Sequence, residues 1–354
     1  MSFAQFIQDA WNKQAKWLVV LRPLALLYRG GSVLNQKLYA SGMKAAYTAP
    51  VPVMVIGNIT VGGSGKTPLL IHLVNYLHSL NVRVGVISRG YGGKGPFPAY
   101  VDFESTPDMV GDEPCLIVQS TGAPMAVGAN RQQSIELLLS RHELDLIISD
   151  DGLQHLALNR QLEWIVLDNN RGLGNEKILP EGYLREPKSR LNTATVIEHA
   201  AQPSSALNMH LEVAEPYLLN AIEGKVFNPQ EAFYAVVGIG FPQRFYRTLE
   251  SMGIQQFQCH EFPDHHDYEI DDLQFEDHQP IITTEKDAVK ILPLLKQYPD
   301  FNREIWVVPV EAVLSPACYQ VLHQQLAQLG LTLNEDSYET HRYSCTFCQF
   351  TFAG

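Results

Sequence analysis

A glycine-rich run that ends in lysine and threonine lies at positions 62–67, between an apolar stretch and an amphipathic stretch. Glycines let the backbone curl so that its N–H groups face phosphate oxygens, and the helix that follows adds positive potential. Lys66 can then reach β- and γ-phosphates, and the Thr67 hydroxyl can bind Mg²⁺. The run predicts a P-loop for ATP, made by Thr60, Val61, Gly62, Gly63, Ser64, Gly65, Lys66 and Thr67.

The strict P-loop pattern has glycine where this chain has Thr60, so the loop is a variant. A glycine-rich turn with a purely structural role is the alternative. The order of strand, turn and helix around it favours the phosphate loop.

Two adjacent carboxylates, Asp150 and Asp151, follow the apolar run at 144–148. In a P-loop fold the strand ends converge on the phosphate site, where carboxylates hold the metal and its water. Because neighbouring side chains on a strand point in opposite directions, we expect the two residues to have different roles. A surface Asp-Gly turn is the alternative.

Two further segments carry acids and histidines. Asp112, in the sequence Gly-Asp-Glu-Pro, opens a predicted helix, where a capping role is the alternative to chemistry. His265 lies in the acidic, histidine-containing loop at 262–268, where a hydrogen-bonded structural histidine is equally compatible. A zinc site would need three or four ligands at one point, which a contiguous run does not establish.

Basic residues and a tyrosine follow the same predicted elements. Arg89 and Tyr91 come after a strand, and Arg131 comes before a helix. Guanidinium groups above a parallel sheet suit bidentate binding of phosphate, both on a nucleotide and on a phosphorylated acceptor. Arg185 and Arg190 are further candidates, and any of these arginines could instead be a solvated charge.

The elements that must position these residues are short apolar strands alternating with amphipathic helices. This pattern predicts an α/β fold with a P-loop NTPase-like parallel sheet. A second, smaller α/β series begins near Phe233, so we expect the active site in a cleft between two lobes. The predicted units are a membrane-associating segment at 1–47, a P-loop domain at 48–223, a second lobe at 224–335 and a tail at 336–354.

Composition excludes some classes of function. The formal net charge of −12 argues against broad nucleic-acid binding, which needs a basic face. The five cysteines do not form the framework of a small secreted protein and indicate a reducing compartment. Cys345 and Cys348 in the tail are read as two unpaired thiols, since no second zinc-binding pair follows them.

The N-terminal segment has the opposite charge. Residues 1–47 hold six basic residues against one acid, together with Trp11 and Trp17. The apolar run at 17–28 is interrupted by Arg22 and Pro23, and it is shorter than the about 20 residues that span a bilayer. We therefore expect an interfacial helix on an anionic membrane. The alternative is an amphipathic helix packed on its own domain.

These segments resemble the tetraacyldisaccharide 4'-kinase family of lipid A biosynthesis. The matching segments run in the family's order from about residue 15 to about residue 330. They are PVPVMVIGNITVGGSGKTP at 50–68, ISRGYGGK at 87–94, GDEP at 111–114, SDDGLQH at 149–155, LPEGYLREP at 179–187, FPDHHDY at 262–268 and TTEKDAVK at 283–290.

The resemblance implies ATP- and Mg²⁺-dependent phosphorylation of the 4'-hydroxyl of a tetraacylated glucosamine disaccharide 1-phosphate. It places the reaction at the cytoplasmic face of a Gram-negative inner membrane, and it implies neither a nucleic acid nor a protein partner. It makes Lys66 and Thr67 ligands of the phosphates and the metal. It makes Asp112 the base near the acceptor hydroxyl, supported by a dyad of Asp151 and His265.

The remaining roles also come from the resemblance. Asp150, Glu186 and Gln154 complete the metal and nucleotide surroundings. The residues that face the acceptor or the transferred phosphate are Arg89, Tyr91 and Arg131. The chain departs from the family at Glu181, close to Glu186, where a small residue is more common.

Two other functions compete with this one. A nucleotide-dependent switch would carry the guanine signature [NT]-K-x-D, but Thr284-Glu285-Lys286-Asp287 has its lysine one position late. A small-molecule kinase or ligase that only touches membranes is less compatible with the basic, tryptophan-bearing N-terminus.

Overall fold

A computed structural model describes residues 3–220, 222, 224–331 and 333, so the predicted tail with Cys345 and Cys348 lies outside the described residues. The helices are α1 Phe3–Asn12, α2 Arg22–Ala40, α3 Lys66–Ser79, α4 Pro107–Val110, α5 Asp112–Thr121, α6 Arg131–Leu139, α7 Pro242–Ser251, α8 Glu285–Gln297 and α9 Pro316–Gln328, with 3₁₀ helices at Lys16–Leu21, Lys188–Thr193 and Ile270–Leu273. The strands are β1 Val53–Gly57, β2 Val84–Ser88, β3 Ala99–Val101, β4 Met125–Val127, β5 Leu146–Asp150, β6 Leu162–Asp168, β7 Thr195–His199, β8 Asn208–Val213, β9 Tyr217–Leu218, β10 Phe233–Val237, β11 Phe257–Glu261, β12 Ile281–Thr284, β13 Ile305–Val308 and β14 Val310–Leu314.

A nine-stranded sheet carries the P-loop, in the order β14-β8-β7-β6-β1-β5-β2-β4-β3. The strands from β8 to β4 are parallel, and the two edge strands β14 and β3 pair antiparallel. All residues of β1, β2 and β5 are buried, because helices and loops cover both faces of the sheet. The parallel α/β fold predicted from the apolar runs is confirmed.

A second sheet of five strands forms the smaller lobe, in the order β11-β10-β12-β13-β9. Four of its strands are parallel, and β9 pairs antiparallel with β13. Its core is separate and includes Phe233, Leu249 and Trp306. Helices α5 and α8 pack against each other and join the two lobes.

The limits of the two lobes differ from those predicted. Strand β9 lies before residue 224 but belongs to the second sheet, whereas β14 lies after it and pairs with β8 in the large sheet. Helix α9 also returns to the large lobe, since Cys318, Leu322 and Leu326 are buried in its core. The linear division at 223 and 335 was wrong because strand pairing, which a sequence pattern does not reveal, determines which lobe each strand joins.

The N-terminal segment is more continuously helical than predicted. Lys16–Leu21 runs directly into α2, and Pro23 does not interrupt it because proline is tolerated in the first helical turn. By length and composition alone Lys16–Ala40 could cross a membrane, so the prediction that the segment is too short to span was wrong. The segment is attached to the large lobe by Trp11, whose Nε1 donates to Pro180 O at 3.0 Å, and by an Arg22–Glu181 ion pair at 2.8 Å.

Candidate active site

The loop between β1 and α3 has the backbone of a phosphate-binding loop. Gly62 and Gly65 have φ of 96° and 92°, a left-handed conformation that favours glycine. Lys66 is the first residue of α3, so its ammonium group and the N–H groups of the helix N-terminus can bind the same phosphate. Thr60 has no positive φ and pairs with Leu184, so this position does not need glycine.

Asn58 holds this loop from within. Its Nδ2 donates to Thr60 Oγ1 at 3.2 Å, Gly62 O at 3.3 Å and Ser64 Oγ at 3.1 Å. Its Oδ1 accepts from Lys66 Nζ at 3.4 Å and also from Arg185. These contacts hold Lys66 and the loop amides in one arrangement before any phosphate binds.

The two adjacent carboxylates have different surroundings, as expected. Asp151 has φ of 46°, accepts two hydrogen bonds from Arg185 at 2.7 and 2.8 Å, and lies 3.5 Å from Lys66 Nζ. Burial would raise the pKa of Asp151, but Lys66 and Arg185 outweigh it and lower the pKa to about 2. Asp150 ends β5 and is buried, and this burial with the charge of Glu113 raises its pKa to about 7.

Asp150 fits a hard metal ion. Its Oδ1 is buried and has no hydrogen-bond partner, an arrangement that costs free energy unless a ligand satisfies the oxygen. Among the described residues no group of three His, Cys, Asp or Glu side chains converges on one point. Mg²⁺ accepts such a site, since it is commonly held by one or two carboxylates together with substrate phosphates and water.

Asp112 of the large lobe and His265 of the second lobe contact each other. Asp112 is the first residue of α5 and is buried, and His265, from the second lobe, has φ of 62°. His265 Nδ1 lies 2.9 and 3.1 Å from the two carboxylate oxygens of Asp112. Burial would raise the pKa of Asp112, but the bond from His265 and the charge of Lys286 lower it to about 2. The same bond raises the pKa of His265.

Lys286 completes this cluster. It is the second residue of α8, and its Nζ lies 3.7 Å from Asp112, 3.6 Å from Glu113 and 3.3 Å from Asp264. Burial would lower the pKa of Lys286, but the three carboxylates raise it, so the side chain stays a cation.

The expected dyad of Asp151 and His265 is not formed. Asp151 is paired with Arg185 and Lys66, and His265 is paired with Asp112. The physical reason is that Asp151 lies beside the P-loop, within the large lobe, whereas His265 reaches the start of α5 from the second lobe. His266, its neighbour, bonds to Asp272 at 2.9 Å within its own lobe.

The three residues expected to face the acceptor differ in burial and contacts. Arg131 is buried at the start of α6, where its Nη1 donates to Gly128 O at 2.5 Å and its Nε has no partner. Burial lowers the pKa of Arg131 to about 10, although the charge of Asp150 acts in the opposite direction. Arg89 is exposed, and the exposed ring of Tyr91 lies 5.2 Å from the ring of His265.

Gln154 and Glu186 are bonded to each other. Gln154 Nε2 donates to Glu186 Oε1 at 2.6 Å, and the other carboxylate oxygen of Glu186 lies 3.2 Å from Arg190 Nε. A metal at Glu186 would have to displace these partners. Both residues also line a cleft of about 410 Å³ between α2 and the large lobe.

Comparison with known proteins decides the family. The model of the tetraacyldisaccharide-1-P 4'-kinase family matches residues 17–327. The tetraacyldisaccharide 4'-kinase of Psychrobacter cryohalolentis is 46% identical, over 94% of this chain and 99% of its own. The enzyme of the same name from Actinobacillus pleuropneumoniae is 45% identical, over 91% of this chain and 99% of its own. The chain belongs to the tetraacyldisaccharide-1-P 4'-kinase family.

A solved structure has the same fold. The crystal structure of LpxK from Aquifex aeolicus, described as an apo form in complex with ATP, has a TM-score of 0.73 and 24% identity and covers 88% of this chain and 99% of its own. The predicted family, its kinase activity and the predicted fold are confirmed.

Two residues of this kinase-family site, Asn58 and Lys286, were not predicted, and a third, Arg185, was predicted with a different role. Asn58 directly follows β1, a position that could have indicated it. Arg185 was grouped with phosphate-binding arginines but is paired with Asp151. Lys286 lies in a matching segment, yet only the packing of α8 on α5 brings it to Asp112.

Proposed function

We propose that this protein transfers the γ-phosphate of ATP to the 4'-hydroxyl of a tetraacylated glucosamine disaccharide 1-phosphate, with Mg²⁺, at a membrane surface. The observation that carries the proposal is that a P-loop and the buried carboxylate of Asp112 are linked through neighbouring charged residues. Glu113 links the phosphate side of the site to the Asp112 side. Its charge acts on Asp150, and its carboxylate lies 3.6 Å from Lys286.

Each residue has a defined part in this reaction. Lys66 and the loop amides neutralise charge on the phosphates. This neutralisation lowers most of the barrier to phosphoryl transfer. Asp112, ionised at working pH, orients the acceptor hydroxyl and accepts its proton, while His265 holds the carboxylate in place. Asp150 and Thr67 would hold Mg²⁺, which supplies further neutralisation of phosphate charge.

The N-terminal segment supports action on a membrane. It exposes apolar side chains over most of its length beside basic residues, and those large apolar side chains exposed by half or more are Val20, Leu24, Leu26, Leu27, Leu34 and Met43. Arg22 bonds to Glu181, and Tyr28 OH donates to Arg185 O at 3.3 Å, so the segment stays beside the large lobe. We therefore propose that it lies in the membrane surface on the cytoplasmic side, where ATP is available.

The kinase reaction is tested with purified protein, labelled ATP, Mg²⁺ and the purified tetraacylated disaccharide 1-phosphate in detergent micelles. The expected product is a labelled lipid with a second phosphate. Lys66→Ala should reduce the rate by on the order of 10²-fold or more. Lys296→Ala, on an exposed lysine, is the matched control. An unlabelled lipid with the parent protein, or near-normal turnover in Lys66→Ala, would refute the proposal.

Membrane binding is tested by sedimentation with vesicles of phosphatidylglycerol and phosphatidylethanolamine. Changing the exposed residues Lys13, Lys16 and Arg29 to Glu should weaken binding, and raising the salt should weaken binding of the parent, because both act on the same attraction. The control makes the same charge change at three exposed lysines of the two lobes, Lys188, Lys225 and Lys296. Equal sedimentation of both variants at every salt concentration would contradict electrostatic attachment.

A further inference from the structure

A line of contacts runs from the second lobe to the phosphate loop, separate from the Asp112–His265 contact. Arg244 of α7 places its Nη2 2.6 Å from His199 Nε2. His199 is the last residue of β7 in the large sheet, is buried, and places its Nδ1 2.9 Å from Ser64 O in the loop.

The chemistry of the three groups fixes the direction of both bonds. A guanidinium group can only donate, so His199 Nε2 must be the acceptor and His199 must be neutral. Its proton therefore lies on Nδ1, which donates to the Ser64 carbonyl. Burial and the nearby Arg244 charge lower the pKa of His199, which keeps this neutral form.

The contact is made directly on the loop backbone. A Cβ added at Gly65 would lie 2.9 Å from His199 Nδ1, so the imidazole packs against the peptide that precedes Lys66. Gly65 is also the residue that turns the loop into α3, with φ of 92°. A shift of His199 would therefore move the backbone whose amides face the phosphates.

We propose that Arg244 and His199 are positioning residues through which the second lobe holds the phosphate loop in its ATP-binding arrangement. Arg244 fixes the tautomer and orientation of His199, and His199 fixes the Ser64–Gly65 peptide. The inference rests on the proposed kinase reaction, and it concerns how ATP is bound in that reaction.

The second lobe thus reaches the site at two separate places. The second lobe contacts the site at His265 on the acceptor side and at Arg244 on the nucleotide side.

The test measures binding of a non-hydrolysable ATP analogue with Mg²⁺ by calorimetry, without lipid. Arg244→Ala and His199→Phe should each weaken binding about tenfold or more, the usual effect of losing a hydrogen bond to a charged group. The double variant should bind the analogue no more weakly than the single variant with the lower affinity. Either single change already breaks the same line of contacts, so the second change adds no further loss. In turnover, the ATP KM should rise more than the KM for the lipid.

Arg247→Ala, on an exposed arginine of the same helix, is the matched control and should bind like the parent. If Arg244→Ala does not fold, Arg244→Gln keeps a polar side chain that is too short to reach His199 and should show the same loss. Unchanged affinity in the Arg244 variant, or losses that add in the double variant, would overturn the proposal. A parent protein that binds the analogue but phosphorylates no lipid would instead refute the proposed function alone.

Discussion

Asp112→Asn separates the chemical role of Asp112 from its structural role. The amide has nearly the same shape, and its oxygen can still accept from His265 Nδ1, so the contact between the lobes is kept. The change removes the charge that could accept a proton. The pKa of Asp112 falls from 3.8 to about 2, so its surroundings stabilise the carboxylate by about 2 kcal/mol, and it is fully ionised at neutral pH.

We expect kcat for the lipid to fall by about 10²- to 10⁴-fold, the usual contribution of a general base. Affinity for ATP should stay within about threefold of the parent, since a group that acts on the acceptor hydroxyl contributes in the transition state and not in nucleotide binding. Initial rates at several ATP and lipid concentrations, together with calorimetry of ATP binding, measure both quantities. Near-normal kcat with weakened ATP binding would refute the role of Asp112 as base.

Two further predictions concern metal and pH. Asp150→Asn should raise the Mg²⁺ concentration needed for half-maximal rate by about tenfold or more, because it removes the negative charge from the buried carboxylate whose Oδ1 has no hydrogen-bond partner. An unchanged Mg²⁺ titration would refute the role of Asp150 as a metal ligand. Bonding to Asp112 raises the pKa of His265, so the stability gained from protonated His265 is present from about pH 4, where Asp112 is ionised, to about pH 6, and it is lost as the pH rises through the raised pKa. The difference in thermal midpoint between the parent and His265→Gln should therefore shrink as the pH rises above the ordinary histidine pKa of about 6.5, and a constant difference would contradict the assignment.

Much of the fold could be predicted because its signals are local. The strand β1, the glycine turn and α3 are contiguous, and fully buried parallel strands show as continuous apolar runs. The edge strands could not be assigned in this way. Val310–Leu314 pairs with β8 across about a hundred residues, and nothing in its own composition distinguishes a strand of one sheet from a strand of the other.

The candidate site shows the same limit. The type and position of Lys66 indicated phosphate binding, because a lysine after a glycine-rich turn has a plain chemical use at a helix start. The roles of Asp112 and His265 followed from the resemblance to the kinase family and not from their residue types. Their pairing did not follow from sequence, since the partner of His265 depends on how the second lobe docks. Arg244 gave no signal at all, because an arginine on a short amphipathic helix is usually a solvated charge.

Val213 and Val310 lie opposite each other in β8 and β14, and Ala214 N donates to Pro309 O at 3.1 Å. The chain thus leaves the large sheet and returns to it at one place, so the second lobe is an insertion within what would otherwise be a β-hairpin. A shortened chain with a tight turn in place of residues 214–309 would keep every strand of the large sheet and α9. A chain ending at 223 would lose β14 and α9 and leave part of that core uncovered. The histidine and the lysine that surround Asp112 therefore come from one contiguous insertion, while the phosphate loop belongs to the host domain.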